Sequence, residues 1–341
     1  MKKLIISIVG GLCLVAVIVA YVAYNVILAP VVEGDDVVFI QVRPGDHTQR
    51  VGEMIASTAD IKTMAGFIPL MEYYKYDQRV KLGNYAIRPG DSMRDICLRL
   101  LSGNQTPVRL VVPSVRTLDR LAGAVGRQLM IDSASVMALL TDAHFIGSLG
   151  YTRETFPCLF IPNTYEVYWT MTPQQFVNRM VKENKRFWTP SRVAKAKTQG
   201  LTPSEVITLA SIIDEETAKD DEKPMVARLY LNRLQRGMFL QADPTVKFAI
   251  GDPELRRILY AHLQTDSPYN TYKYAGLPPG PIRIPTMAAI EAVLNPAKHS
   301  YLYMCAKEDF SGYHNFAATL AQHNANARRY QQTLNQLGIK K

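Results

Sequence analysis

The chain has 341 residues, 48% apolar and 20% charged, which excludes a disordered polymer and leaves room for two or three modest domains. A formal charge of +9 points to an acidic partner (nucleic acid, anionic lipid or an anionic polymer) or to a surface that is merely basic. Four scattered cysteines, one of them in the N-terminal apolar stretch, allow at most one disulfide and form no zinc site; buried free thiols are expected.

Met1-Lys2-Lys3 precedes an uncharged run over 4–29, rich in Ile, Val, Leu and Ala and long enough to cross a bilayer as one helix. A cleaved signal has a shorter apolar core and a small-residue cleavage site, and no convincing site follows here. The run therefore reads as an anchor. Lys2 and Lys3 precede it and Glu33, Asp35 and Asp36 follow it, so the positive-inside rule puts residues 1–3 in the cytoplasm and everything beyond residue 30 outside. That argues against nucleic acid as partner and toward envelope material.

Residues 30–36 read as a polar exit and 37–42, β-branched, as a strand. Arg43-Pro44-Gly45-Asp46 makes a turn and a helical pattern runs on to about residue 57. The tetrapeptide recurs: a strand at 85–87, the turn Arg88-Pro89-Gly90-Asp91, a helix at 93–101. The pair reads as a weak internal repeat or as a common turn used twice, with each Asp expected to cap the helix that follows. A strand is expected at 106–112 and helix over 117–140, with Leu118, Leu121, Ala122 and Val125 on one side. The aromatic, Pro-rich stretch 156–169 cannot be a regular helix; its rings either pack or stack on sugars. Basic helices are expected at 173–186 and 190–197.

Thr202-Pro203-Ser204-Glu205 is a capping box with Pro at the first helical position and starts a helix running to about residue 217. A second helix begins near Pro224 and stops before Gly237. Residues 243–285 read as loop, and so long an irregular stretch in a compact domain is usually functional. A helix at 287–294, a strand at 301–306 and a closing helix over 316–336 complete the pattern. The fold class expected is α+β.

The chemistry sits in Ser211-Ile212-Ile213-Asp214-Glu215-Glu216-Thr217. At about 100° per residue, Val206, Leu209, Ala210 and Ile213 make one stripe of the helix and Glu216 falls on it, whereas Asp214 and Glu215 point away and are expected to be solvated. Burial, the negative end of the helix dipole and two adjacent acids would all keep Glu216 protonated near neutral pH, as a general acid must be. The plainer alternative is an ion pair of Glu216 with Arg228 or Arg233. Downstream, Asn232, Gln241, Asp243, Asn270 and Thr271 offer directional hydrogen bonds, and Tyr269 and Tyr272 offer flat faces. That mixture suits a sugar better than a phosphate. There is no phosphate-cradling loop and no nucleophile elbow, and His314 and His323 have no second ligand pair for a metal.

These segments, with Asn232-Arg233-Leu234, Gln241-Ala242-Asp243-Pro244-Thr245-Val246, Tyr269-Asn270-Thr271-Tyr272 and Gly276-Leu277-Pro278-Pro279-Gly280-Pro281-Ile282, resemble in order and spacing the motif series of the endolytic murein transglycosylases, the YceG-like family. Phe160-Ile161-Pro162-Asn163-Thr164-Tyr165, His314-Asn315-Phe316 and His323-Asn324 extend the resemblance over nearly the whole chain. It implies a transmembrane helix (4–29), a linker (30–36), a LysM-like α+β subdomain (37–107), a connecting and aromatic Pro-rich region (108–200) and a mixed α+β catalytic core (201–341). It also implies an inner-membrane, single-pass protein with a periplasmic domain, acting on peptidoglycan glycan strands, with peptidoglycan synthases as candidate partners and no cofactor or metal. The family's catalytic acid maps to Glu216, with Asn232, Gln241, Asp243, Thr245, Tyr269, Asn270, Thr271 and Tyr272 as expected sugar contacts. Asp214 stands where many members have Glu, which is expected to matter little to the chemistry.

The reaction so implied cleaves the β-1,4 bond between N-acetylmuramic acid and N-acetylglucosamine inside a strand, without water. The muramyl C6 hydroxyl attacks its own C1 and leaves a 1,6-anhydro end, so one carboxyl, acid then base, suffices where ordinary glycosidases use two. Rival readings are a lysozyme-like hydrolase using Asp243 as second carboxylate and a non-enzymatic glycan-binding scaffold.

Overall fold

The computed structural model describes residues 2–252, 255 and 257–338; Met1 of the expected cytoplasmic tail and the last three residues of the expected catalytic core lie outside them. Its first element, α1 (Lys2–Ala23), runs into one π-helical turn at Tyr24–Leu28. The segment Leu4–Leu28 has mean hydropathy 2.8 and its most apolar stretch is not buried in the protein. At about 1.5 Å per residue it exceeds the roughly 30 Å of bilayer hydrocarbon. It is consistent with a single-pass anchor.

The chain is organised in two units. The first holds Met1–Leu110, Gln128–Met130 and Glu166–Met171. In it β1 (Val38–Val42) and β2 (Gly83–Ile87) pair antiparallel, from Val38↔Ile87 to Val42↔Gly83. Between them lie α2 (Thr48–Thr58) and α3 (Phe67–Tyr73), and α4 (Met93–Ser102) follows. Ile40, Val42, Val51, Ile55, Phe67, Met71, Tyr85, Ile96 and Leu100 form their shared core. The repeated tetrapeptide builds the same turn twice. Gly45 and Gly90 take φ of +90° and +80°, and the Asp side chain accepts from the Arg backbone N–H at 2.7 Å in each copy. Neither Asp caps the following helix, which corrects the sequence expectation. His47 and Ser92 are the N-caps, because each Asp is already turned back to close its own turn.

The second unit holds Val111–Arg127, Ile131–Tyr165 and Thr172–Lys341. The strands β3 (Val108–Val112) and β4 (Asn163–Val167) pair with each other. The helix expected over 117–140 is broken into α5 (Leu118–Gln128) and α6 (Ser133–Thr141), with α7 (Ala143–Ser148) after them. The break is chemical: Asp132 and Asp142 accept from backbone N–H groups ahead of them and each starts a new helix. In the aromatic stretch Phe156, Phe160, Tyr165 and Trp169 are buried and only Tyr168 is exposed, so packing claims these rings.

Helices α8 (Pro173–Phe187) and α9 (Pro190–Thr198) lead to α10 (Pro203–Glu216), which opens with the Thr202/Glu205 capping box. Then come α11 (Lys223–Gln235), α12 (Asp243–Ile250) and α13 (Met287–Leu294). The start of the expected loop 243–285 is therefore helical: Pro244 lies in the first turn of α12, where its missing N–H costs nothing. All of α10 from Val206 to Asp214 is buried, because α9, α11, α12 and α13 pack around it. An antiparallel ribbon of β5 (Tyr303–Ala306) and β6 (His314–Ala317) precedes α14 (Leu320–Gln336). The closing helix thus starts later than expected, since His314–Ala317 are spent pairing with β5 and the N-cap is Thr319.

Candidate active site

The last residue of α10, Glu216, opens into a cavity of about 240 Å³ lined also by Leu229, Tyr230, Arg233, Leu240, Gln241, Asp243, Tyr272, Met304, Cys305, Ala306 and His314. Its carboxyl is partly buried and its Oε1 accepts a hydrogen bond from the Tyr230 hydroxyl at 2.6 Å. Burial pushes the carboxyl up to about 7; the Tyr230 hydrogen bond pulls the other way, Asp243 pushes it further up, and His314 and Arg233 pull it down. A carboxyl poised there is protonated in part of the molecules at neutral pH and can give its proton up.

Neither neighbour in the acidic run is solvated, contrary to the helical-wheel expectation. Asp214 is 9% exposed and meets Lys223 at 2.7 Å, the backbone N–H of Thr286 at 2.9 Å and its hydroxyl at 2.7 Å, and Arg283 at 3.4 Å. Burial alone would raise this carboxyl, but the hydrogen bonds from Lys223 and Thr286, with Arg283 nearby, hold it below the usual range. Glu215 takes a bidentate pair from Arg116 at 2.7 and 2.6 Å and a third bond from Arg283 at 3.0 Å. The wheel failed because it assumes one buried face, and α10 is covered on every side. These pairs neutralise both neighbours and pin the end of α10, and the carboxylate that opposes Glu216 ionisation is instead Asp243.

Asp243 sits exposed in the first turn of α12, where the helix N-terminus favours a carboxylate, and accepts from the Tyr272 hydroxyl at 2.6 Å. Gln241 precedes it with φ of +52°, a left-handed backbone uncommon outside glycine. That conformation is held by Gln241 N–H to Thr271 O at 3.1 Å and Ala242 N–H to Thr271 Oγ1 at 3.0 Å. Thr245 Oγ1 and Thr271 Oγ1, 2.8 Å apart and both buried, clamp the segment from behind.

Of the expected sugar contacts, Gln241, Asp243 and Tyr272 join Glu216 at the cavity. The others do not line it. Asn232 donates to the carbonyls of His299 and Tyr301, and the buried Asn270 to those of Leu263 and Thr265. Thr245 and Thr271 form the clamp, and Tyr269 packs against the core and Phe248. Arg228 and Arg233 make no ion pair with Glu216: Arg228 donates to Ala297 O, and Arg233 to the carbonyls of Leu302, Phe239 and Leu240 and to Gln241 Oε1. Among the described residues no group of three His, Cys, Asp or Glu side chains is placed to hold a metal.

A model of the YceG-like family matches residues 40–329. The chain belongs to that family. This YceG-like chain is 29% identical over 310 residues to the endolytic murein transglycosylase of Bacillus subtilis, covering 85% of this chain and 84% of that protein. It is 26% identical to the endolytic murein transglycosylase of Streptococcus pneumoniae, of which it spans about half the length (54%) and which aligns with 79% of this chain. A crystal structure of a yceG-like protein from Listeria monocytogenes superposes with a TM-score of 0.57 at 28% identity, covering 85% of this chain and 98% of that one.

Sequence reasoning gave no role at the cavity to three of its polar residues: Tyr230, Arg233 as a backbone clamp, and His314. Tyr230 and Arg233 are three apart on α11 and so share a face, a signal present in the sequence once Arg233 is taken inward. His314 stood in the sequence within the His314-Asn315-Phe316 motif but with no role attached, and the β5–β6 pairing brings it to the cavity.

Proposed function

We propose that this chain is a membrane-anchored endolytic peptidoglycan lytic transglycosylase. It cleaves the β-1,4 bond between N-acetylmuramic acid and N-acetylglucosamine within a strand and leaves a 1,6-anhydro end. The observation that carries the reading is Glu216: one carboxyl, pushed up to about 7 and hydrogen-bonded by Tyr230, at the wall of a polar cavity in a chain whose relatives are endolytic murein transglycosylases. Glu216 protonates the leaving oxygen as the C6 hydroxyl closes on C1. In the single-carboxyl scheme the same group then collects the hydroxyl proton. An internal nucleophile needs no activated water, and its proximity supplies much of the rate. Gln241, Asp243 and Tyr272 orient the sugars.

The anchor supports an inner-membrane site with the N-terminus in the cytoplasm and the second unit in the periplasm. A site tethered there meets strands as they emerge, which favours termination or trimming of nascent glycan beside the synthases. The duplicated strand–turn–helix supports the LysM-like reading of residues 37–107, with 201–341 as catalytic core.

Asp243, the second carboxylate of the cavity, is the observation behind a hydrolytic alternative. Mass spectrometry of products from purified sacculi separates the two. Anhydro ends are expected; reducing ends would reject the lyase reading in favour of hydrolysis. Undiminished digestion by Glu216→Gln would remove Glu216 from the chemistry and leave the glycan-binding scaffold in play.

A further inference from the structure

We propose that His314 is a second catalytic residue, its Nε2 taking the proton of the attacking C6 hydroxyl while Glu216 protonates the leaving oxygen. The inference rests on the function proposed above and assigns its second proton transfer to a different residue.

Its basis is a carboxylate–imidazole pair. Glu222, 4% exposed, turns both carboxylate oxygens to His314: Oε1 accepts from the His314 backbone N–H at 2.7 Å and Oε2 lies 2.9 Å from Nδ1. Glu222 is also the N-cap residue of α11, at the positive end of the helix dipole. In the neutral ring, the form that can act as a base, Nδ1 carries the hydrogen because a carboxylate accepts and does not donate, and Nε2 is left as the acceptor. No hydrogen bond to Nε2 forms among the described residues, and the ring, 17% exposed, lines the Glu216 cavity. An imidazole oriented from behind by a buried carboxylate, with its far nitrogen open to a site, is the arrangement of a general base.

Glu216 is poorly equipped to do both jobs. Oε1 is engaged by Tyr230, so Oε2 alone would have to reach the leaving O4 and then the C6 hydroxyl. With two residues each transfer has its own atom. The C1–O4 bond breaks, its electron pair stays on O4, and O4 takes the Glu216 proton. The C1–O6 bond forms and the O6 proton passes to Nε2. Glu222 balances the charge that then appears on the ring, and a proton passing back to Glu216 through solvent resets the pair.

The test uses the full-length protein in detergent, acting on uncrosslinked glycan strands polymerised in vitro. His314→Gly is expected to lower kcat by about 10²-fold or more. KM should stay within about twofold, the melting temperature should hold, and the product should still end in the 1,6-anhydro sugar. Added imidazole should restore kcat in proportion to its free base. A kcat within about threefold of wild type would overturn the proposal and leave Glu216 as sole proton carrier; so would a loss that imidazole does not recover in a folded variant. If His314→Gly does not fold, His314→Gln, which keeps a polar side chain there, carries the test: a comparable fall in kcat at unchanged KM and melting temperature supports the base role, and retained kcat refutes it. Glu216→Gln is run beside these. Activity in that variant would defeat the proposed function itself, whatever His314 does.

Discussion

Replacing Glu216 by Gln should stabilise the protein, and do so only as pH rises. In the folded chain the carboxyl ionises at about 7, in the unfolded chain near its ordinary value of 4.5. Below about pH 4 both states hold the proton and the variant gains nothing. Above that, the unfolded chain ionises freely while the folded one must either keep the proton or place a charge in the cavity. Stability therefore falls through the interval and levels off above the folded value. At about 1.4 kcal/mol per pH unit the interval comes to roughly 3 kcal/mol. Glutamine removes that penalty and keeps an oxygen for the Tyr230 hydroxyl. For a unit of this size the gain is a rise of about 6–12 °C in melting temperature at about pH 9, shrinking toward zero near pH 4. Thermal melts of wild type and Glu216→Gln across this range read it directly. A difference independent of pH, or one larger in acid, would refute the claim that Glu216 is buried against its charged form.

Further outcomes follow from the same contacts. Tyr230→Phe deletes a hydrogen bond that favours the Glu216 anion, so the alkaline limb of kcat/KM against pH should move upward, by about one unit for a bond worth about 1.5 kcal/mol; a limb that stays or moves down contradicts the assignment. Asp214→Asn takes one of two carboxylates from the buried Lys223, which keeps the exposed Asp220 at 2.6 Å, and should cost about 2 kcal/mol in urea unfolding. Because the Asp214 carboxyl is held below the usual range, its contribution is present above the unfolded value and lost as pH falls through the folded one, so the deficit of the variant should narrow in strong acid. Gly280→Ala would drive a Cβ into the Glu154 carbonyl oxygen, a backbone atom, and should destabilise the second unit by about 2 kcal/mol or more; a melting temperature equal to wild type would show that the two segments separate without cost.

What was legible along the chain was local. The capping box at Thr202, Pro224 in the first turn of α11, the paired Arg-Pro-Gly-Asp turns and the apolar N-terminal run each act through neighbours within a few residues, and each reads the same in three dimensions. Helical phase is local too and picked out Glu216, but on the premise of one buried face, which α10 does not have. What lay beyond reach depends on contacts between segments distant in sequence. Whether Asp214 is solvated is decided by Lys223, Arg283 and Thr286. Whether Asn270 or Thr245 meets a ligand is decided by which backbone groups need a partner behind the loop, and a buried carbonyl or N–H claims the side chain first. His314 reaches the cavity only because β6 pairs with β5, and its ring is set only because Glu222, at the start of another helix, turns both oxygens to it. Periodicity carries the direction of a side chain but not the identity of what waits there, and the charge state of a buried group depends on that identity.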